Sequence, residues 1–144
     1  MSRARHGHHT RLQAGSMTVE LVVLAPVVVM FALLAVGLGR VEQARQDLAD
    51  AAHAGAEAAS IVPSASRAPL AAADAALPAM AGQSHVCASP TVGTDTSLFG
   101  PLGIVSVTVS CRVALSDLLL PGMPGSISLH STQSAPVDPY RAVP

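Results

Sequence analysis

The stretch AGSMTVELVVLAPVVVMFALLAVGLGR, residues 14–40, decides how the rest of the chain is read. It joins a small-residue step, Gly15-Ser16, to a single acid, Glu20, and then to an uncharged run at 21–38. At about 1.5 Å of helical rise per residue that run covers about 27 Å, close to the roughly 30 Å of a bilayer's hydrocarbon core. It reads as a membrane span, and charge sets its direction. Arg3, Arg5 and Arg11 precede it with no acid among them, whereas 40–50 sets Arg40 and Arg45 against Glu42, Asp47 and Asp50. By the positive-inside rule the N-terminus is cytoplasmic and everything after the span is extracytoplasmic.

Composition limits what the remainder can be. The chain has 144 residues, half of them hydrophobic, yet aromatics make up only 2% and tryptophan is absent. Its apolar content is therefore mostly Ala, Val and Leu, enough for one small domain with a thin core. A net charge of −1 with no lysine excludes the basic face that nucleic-acid binding demands.

Taken in order, residues 1–15 form a basic cytoplasmic leader. His6, His8 and His9 lie close together there, but on an arm without a supporting fold they make a poor metal site. The span is assigned to 16–39, with Pro26 removing a backbone donor and bending the helix within the membrane. The helix continues over 40–62, where Val41, Ala44, Leu48, Ala51 or Ala52, Gly55, Ala58 or Ala59 and Val62 keep the three-and-four spacing of one face. Glu42, Arg45, Asp47, Asp50 and Glu57 occupy the other. The small side chains of AAHAGAEAAS, 51–60, suit close approach by the chain's own domain or by a neighbouring helix. Alanine as the best helix former explains the same composition without any partner.

Pro63 and Pro69 end the long helix, and 63–83 is a linker with a possible short helix at 70–80 that Pro78 interrupts. The segment 84–134 reads as a small β domain: a first strand at 84–92, a clear second at 103–115 and a third at 126–134. In the second, Val105, Val107, Val109, Cys111 and Val113 alternate with Ser106, Thr108, Ser110 and Arg112, so one face is buried and the other wet. DLLLPGMPG, 117–125, is a loop, and 135–144 is a proline-punctuated extended tail. Cys87 and Cys111 fall on the first two strands. In an oxidising compartment a bond between them is favoured, with two free thiols or an intermolecular bridge as the alternatives.

No catalytic motif is present; histidines, acids and serines are scattered singly, so neither enzymatic activity nor a cofactor is expected. The chemical anomaly is Glu20. A carboxylate against an apolar run is costly if it enters lipid unpaired, so it either sits solvated at the interface or has a partner.

Gly15, Ser16, an acid at the fifth place counted from Ser16, and then an apolar helix resemble the class III signal of type IV pilins and pseudopilins. More narrowly, the segment from Gly15 to Ser60, with Pro26 about six residues after the glutamate and an Ala-rich helix following, is similar to the TadE-like proteins of tight-adherence (Flp) pilus systems. The β-rich part, with its cysteine pair and closing stretch from Pro136 to Arg141, is similar to actinobacterial members. The resemblance implies cleavage by a prepilin peptidase between Gly15 and Ser16, and pairing of Glu20 with the new N-terminal amine of a neighbouring subunit. N-methylation of Ser16 occurs in related pilins. Phe31 is the only aromatic in the span, where many pilin helices carry several.

The expectation is an α+β chain: a long N-terminal transmembrane and amphipathic helix followed by a small antiparallel β-rich domain, pilin-like in layout. Its implied role is that of a minor pseudopilin in the inner membrane, with other pilins and the assembly platform as partners. Two alternatives stand beside it. One is a secreted binding module released by signal peptidase at Ala35-Val36-Gly37; the other is an uncleaved single-pass surface protein.

Overall fold

An apolar run and then closely spaced alanines make up the first element. In a computed structural model of the chain, which describes residues 14–81, 87–118 and 124–138 with backbone alone at 14–19 and 118, α1 runs Ala14–Ser60 over 47 residues. Residues 1–13 of the leader, with its arginines and histidines, lie outside the described residues, as do 84–86 and 139–144. Contacts divide the chain into two units, Met1–Val36 and Gly37–Pro144. The first is, over its described part, the apolar half of α1. The second contains the rest of α1 and everything after it.

In the second unit α1 ends at Ser60, whose hydroxyl donates to the Glu57 carbonyl at 2.8 Å and satisfies one of the open groups of the last turn. The helix thus stops three residues before Pro63. Helix α2, Ala68–Ala81, carries Pro69 in its first turn, where a missing N–H is no loss, so Pro69 starts this helix and does not terminate the earlier one. Pro78 also lies inside α2 without interrupting it. The carbonyl it leaves unbonded is that of Asp74; both residues are exposed, so water can serve that group. Ala68, Ala72, Ala76 and Met80, one turn apart, form the buried stripe.

Three strands follow: β1 at Ala88–Asp95, β2 at Ile104–Ala114 and β3 at Ser126–Pro136, in the order β1-β2-β3 and antiparallel throughout. Their bounds differ from those read in the sequence. β1 reaches Asp95 and not Val92, because Gly93, Thr94 and Asp95 pair with Thr108, Val107 and Ser106. The Asp95 carboxylate then accepts the Ser97 N–H at 2.9 Å and turns the chain. β3 takes in Ala135 and Pro136, opposite Val105 and Ile104, so the tail begins later than 135. Leu115, which reads as the end of the second strand, instead opens a helical turn, α3 at Leu115–Leu118, that runs into the start of the expected loop. The β1–β2 turn closes through Phe99, Gly103 and Ile104 N–H groups donating to Thr96, Gly100 and Leu98 carbonyls. A Cβ on Gly103 would collide with the Leu98 carbonyl.

The core forms where α1, α2 and the inner face of β2 meet. Leu48, Val105, Val107, Val109 and Val113 are its largest fully buried side chains, and alanines fill most of the remainder. Gly55 sits at the junction. A Cβ there would lie 3.1 Å from Val107 Cγ1 and 3.2 Å from the Ala72 carbonyl oxygen. The small-residue face of α1 therefore packs on the chain's own domain. Gly55→Leu is expected to destabilise that domain by about 1–3 kcal/mol through overpacking. Leu48→Ala should destabilise it by about 2–5 kcal/mol through the cavity it leaves. Denaturant titration of the detergent-solubilised chain, followed by circular dichroism, checks both; Glu57→Gln, on the exposed face, is the control and should change stability by less than about 0.5 kcal/mol.

Candidate functional site

The start of α1 holds the candidate site residues Gly15, Ser16 and Glu20. Gly15 and Ser16 lie on helical backbone inside Ala14–Ser60. Ser16 and Glu20 are four positions apart, so one turn of about 5.4 Å places both on the same face. Glu20 is exposed, and among the described residues it has no ion-pair partner within its own chain. After it comes a helix apolar on every side: Leu21 is 69% exposed and Phe31 63%. A helix with no polar face is at home in lipid. By length and composition, the stretch within Glu20–Ser60 can cross a membrane. Pro26 lies inside α1, which continues past it.

Arg40 is the first charge after the apolar run, and its Nη1 donates to the Asp117 carbonyl at 3.1 Å, across 77 positions of sequence. The sequence marks Arg40 only as a boundary; nothing in its spacing points to α3. The polar face beyond it carries short-range pairs: Arg45 with Glu42 at 3.5 Å and His53 with Glu57 at 3.3 Å, all well exposed and energetically minor. Burial, and then the neighbouring Asp50, raises the Asp47 carboxyl above its ordinary range. Among the described residues no three His, Cys, Asp or Glu side chains converge as a metal site requires; His6, His8 and His9 lie outside them.

A second constellation sits on the sheet. Cys87 and Cys111 are joined by a disulfide, their Cα atoms 5.5 Å apart, and both are buried. The bond pins the chain just before β1 to the middle of β2. Directly beside it the β1 register is broken between Ala88 and Thr91, with Ser89 in the left-handed region at φ 51°. The wet face of the sheet is dominated by hydroxyls: Ser106 bonds Ser134 and Thr108 bonds Thr132, each at 2.8 Å. At the far end of β1 the Ser97 backbone N–H, and then its side chain, hold the Asp95 carboxyl below the usual range.

Residues 15–57 match the TadE-like protein family. Over that stretch the chain is TadE-like. The matched segment begins at Gly15, contains Ser16, Glu20 and Pro26, and stops within the packed part of α1; the sheet and both cysteines lie beyond it. A TadE-like segment links the chain to tight-adherence (Flp) pilus systems. No curated protein and no solved structure matches the chain.

Two measurements address the disulfide and the two shifted carboxyls. Cys87→Ser with Cys111→Ser should lower stability by on the order of 3 kcal/mol, since the bond spans a separation of 24 residues. In a pH titration followed by carboxyl NMR, Asp95 should titrate below its ordinary value of 3.8 and Asp47 above it. The signs differ accordingly. Asp95 supports the fold above pH 3.8 and loses that support as acid protonates it, whereas protonation of Asp47 favours the fold.

Proposed function

We propose that the chain is a minor pseudopilin of a tight-adherence pilus, or of its assembly machinery, with a structural and not a catalytic role. One observation carries this reading: Gly15-Ser16 and Glu20 occupy a single helix that leads without a break into an apolar run, all within the TadE-like match. A prepilin peptidase cuts between Gly15 and Ser16, on the cytoplasmic side. The hydrophobic segment stays in the mature subunit.

The chemistry of Glu20 supports the same reading. Cutting before Ser16 creates an α-amine one helical turn from a carboxylate that, among the described residues, has no partner in its own chain. Each charge alone is expensive next to lipid, and together they compensate when the amine of one subunit meets Glu20 of the next. Pro26 bends the span and eases its packing among neighbouring helices, which also supply what the freed carbonyl lacks. The N-terminus is cytoplasmic and the sheet extracytoplasmic, where oxidation keeps Cys87 and Cys111 joined. Other pilins and the assembly platform are the partners.

N-terminal sequencing of the mature chain tests cleavage directly. Ser16 as the first residue is the expected result; Leu38 would mark a signal-peptidase product, and Met1 or Ser2 an uncleaved anchor. Gly15→Leu should leave the leader attached. Glu20→Ala should be processed normally yet lose co-purification with partner pilins; unchanged piliation in that variant rules out the charge pair.

A further inference from the structure

β3 is paired along one side only. Its register with β2 runs unbroken from Ile104↔Pro136 to Ala114↔Ser126. Just beyond the strand ends, the Val137 N–H donates to the Gly103 carbonyl at 2.9 Å and the Leu115 N–H to the Gly125 carbonyl at 3.0 Å. Both bonds continue that register, and in an antiparallel ladder bonded pairs recur at every second position. The β3 residues that exchange bonds with β2 are therefore the odd-numbered ones. The backbone groups of Ser126, Ser128, His130, Thr132 and Ser134 point the other way. These residues are exposed, and among the described residues no backbone hydrogen bond reaches that edge.

The opposite edge of the sheet is built differently. β1 has a register break, a left-handed Ser89, a Pro90 that cannot donate, and a charge at Asp95, and α2 packs against it. Such features blunt a sheet edge against unwanted pairing. β3 has none of them. It is 11 residues long, its register is regular, it carries no acid, lysine or arginine, and its proline is the last residue.

We propose that the free edge of β3 is an interaction surface for a second copy of this chain, the two strands pairing main chain to main chain. An open ladder selects an extended partner with an open edge of its own, and β3 is the only edge of that kind among the described residues. Being free of acids, lysine and arginine, two β3 strands meet without like-charge repulsion at neutral pH. Because β1 is blunted, the extension ends after two copies, giving a closed pair and not a growing sheet. The proposal does not depend on the pilus reading.

The full-length chain in detergent micelles, its mass followed by analytical ultracentrifugation across a dilution series, tests this. Wild type should dimerise. His130→Pro removes an N–H that the β2 ladder does not use, so the domain's melting temperature should stay near wild type while self-association weakens by at least about ten-fold. His130→Lys keeps the backbone intact and sets like charges across the pair. It should weaken association similarly, with partial recovery in high salt. Should the proline variant fail to fold, the lysine variant decides alone. A monomeric wild type overturns the proposal, and so does a dimer that persists in the folded variants, since that contact lies elsewhere, for example along the apolar helix.

Discussion

Everything in the second unit depends on how closely α1 approaches the sheet. A Cβ at Gly55 would crowd both Val107 Cγ1, at 3.1 Å, and the Ala72 carbonyl oxygen, at 3.2 Å, and alanines line much of the rest of the contact. Close approach replaces bulk: dispersion contacts between well-fitted methyl groups do what rings do in larger cores. The same choice keeps the apolar area per residue small. That gives the disulfide between Cys87 and Cys111 a disproportionate share in the fold, because restricting the unfolded chain offsets what a thin core does not supply.

The sheet divides its labour by face. Inward, Val105, Val107, Val109 and Val113 are sealed from water. Outward, serine and threonine hydroxyls bond one another across β2 and β3. These neutral pairs hold the two strands in register without charge, so the sheet's integrity depends little on ionic strength. The β1–β2 turn is the exception to that polar surface, with Leu98 and Leu102 exposed beside Gly103.

Much of this was legible in the residues. An apolar run of span length after Glu20, and strict alternation from Val105 to Val113, foretell the α+β layout, and the short motif around Gly15 foretells the TadE-like match. Misreadings gather at prolines. Pro69 and Pro78 read as stops, yet a first-turn proline and one whose orphaned carbonyl faces water are both compatible with α2. Pro136 reads as tail, yet the end of an edge strand tolerates it. Ser89-Pro90 hides a bulge that shifts β1 toward Asp95. Local periodicity carries no trace of the Arg40–Asp117 bond, which only tertiary folding creates. The candidate site was legible as spacing alone, because among the described residues no group of the chain itself pairs with Glu20.

One continuous helix serves two solvents. Its first half exposes leucine and valine on all sides, while its second half buries Leu48 and a row of alanines. In a bilayer, backbone hydrogen bonding would hold the first half, since a broken bond there has no water to replace it. Tertiary packing holds the second. With the first half in a bilayer, the two halves would belong to different cooperative units, and denaturation of the domain would leave a helical stub seated in the membrane. No single unfolding free energy describes such a molecule. With its apolar half in a bilayer, a chain that lost its outer fold would stay tethered and could refold in place.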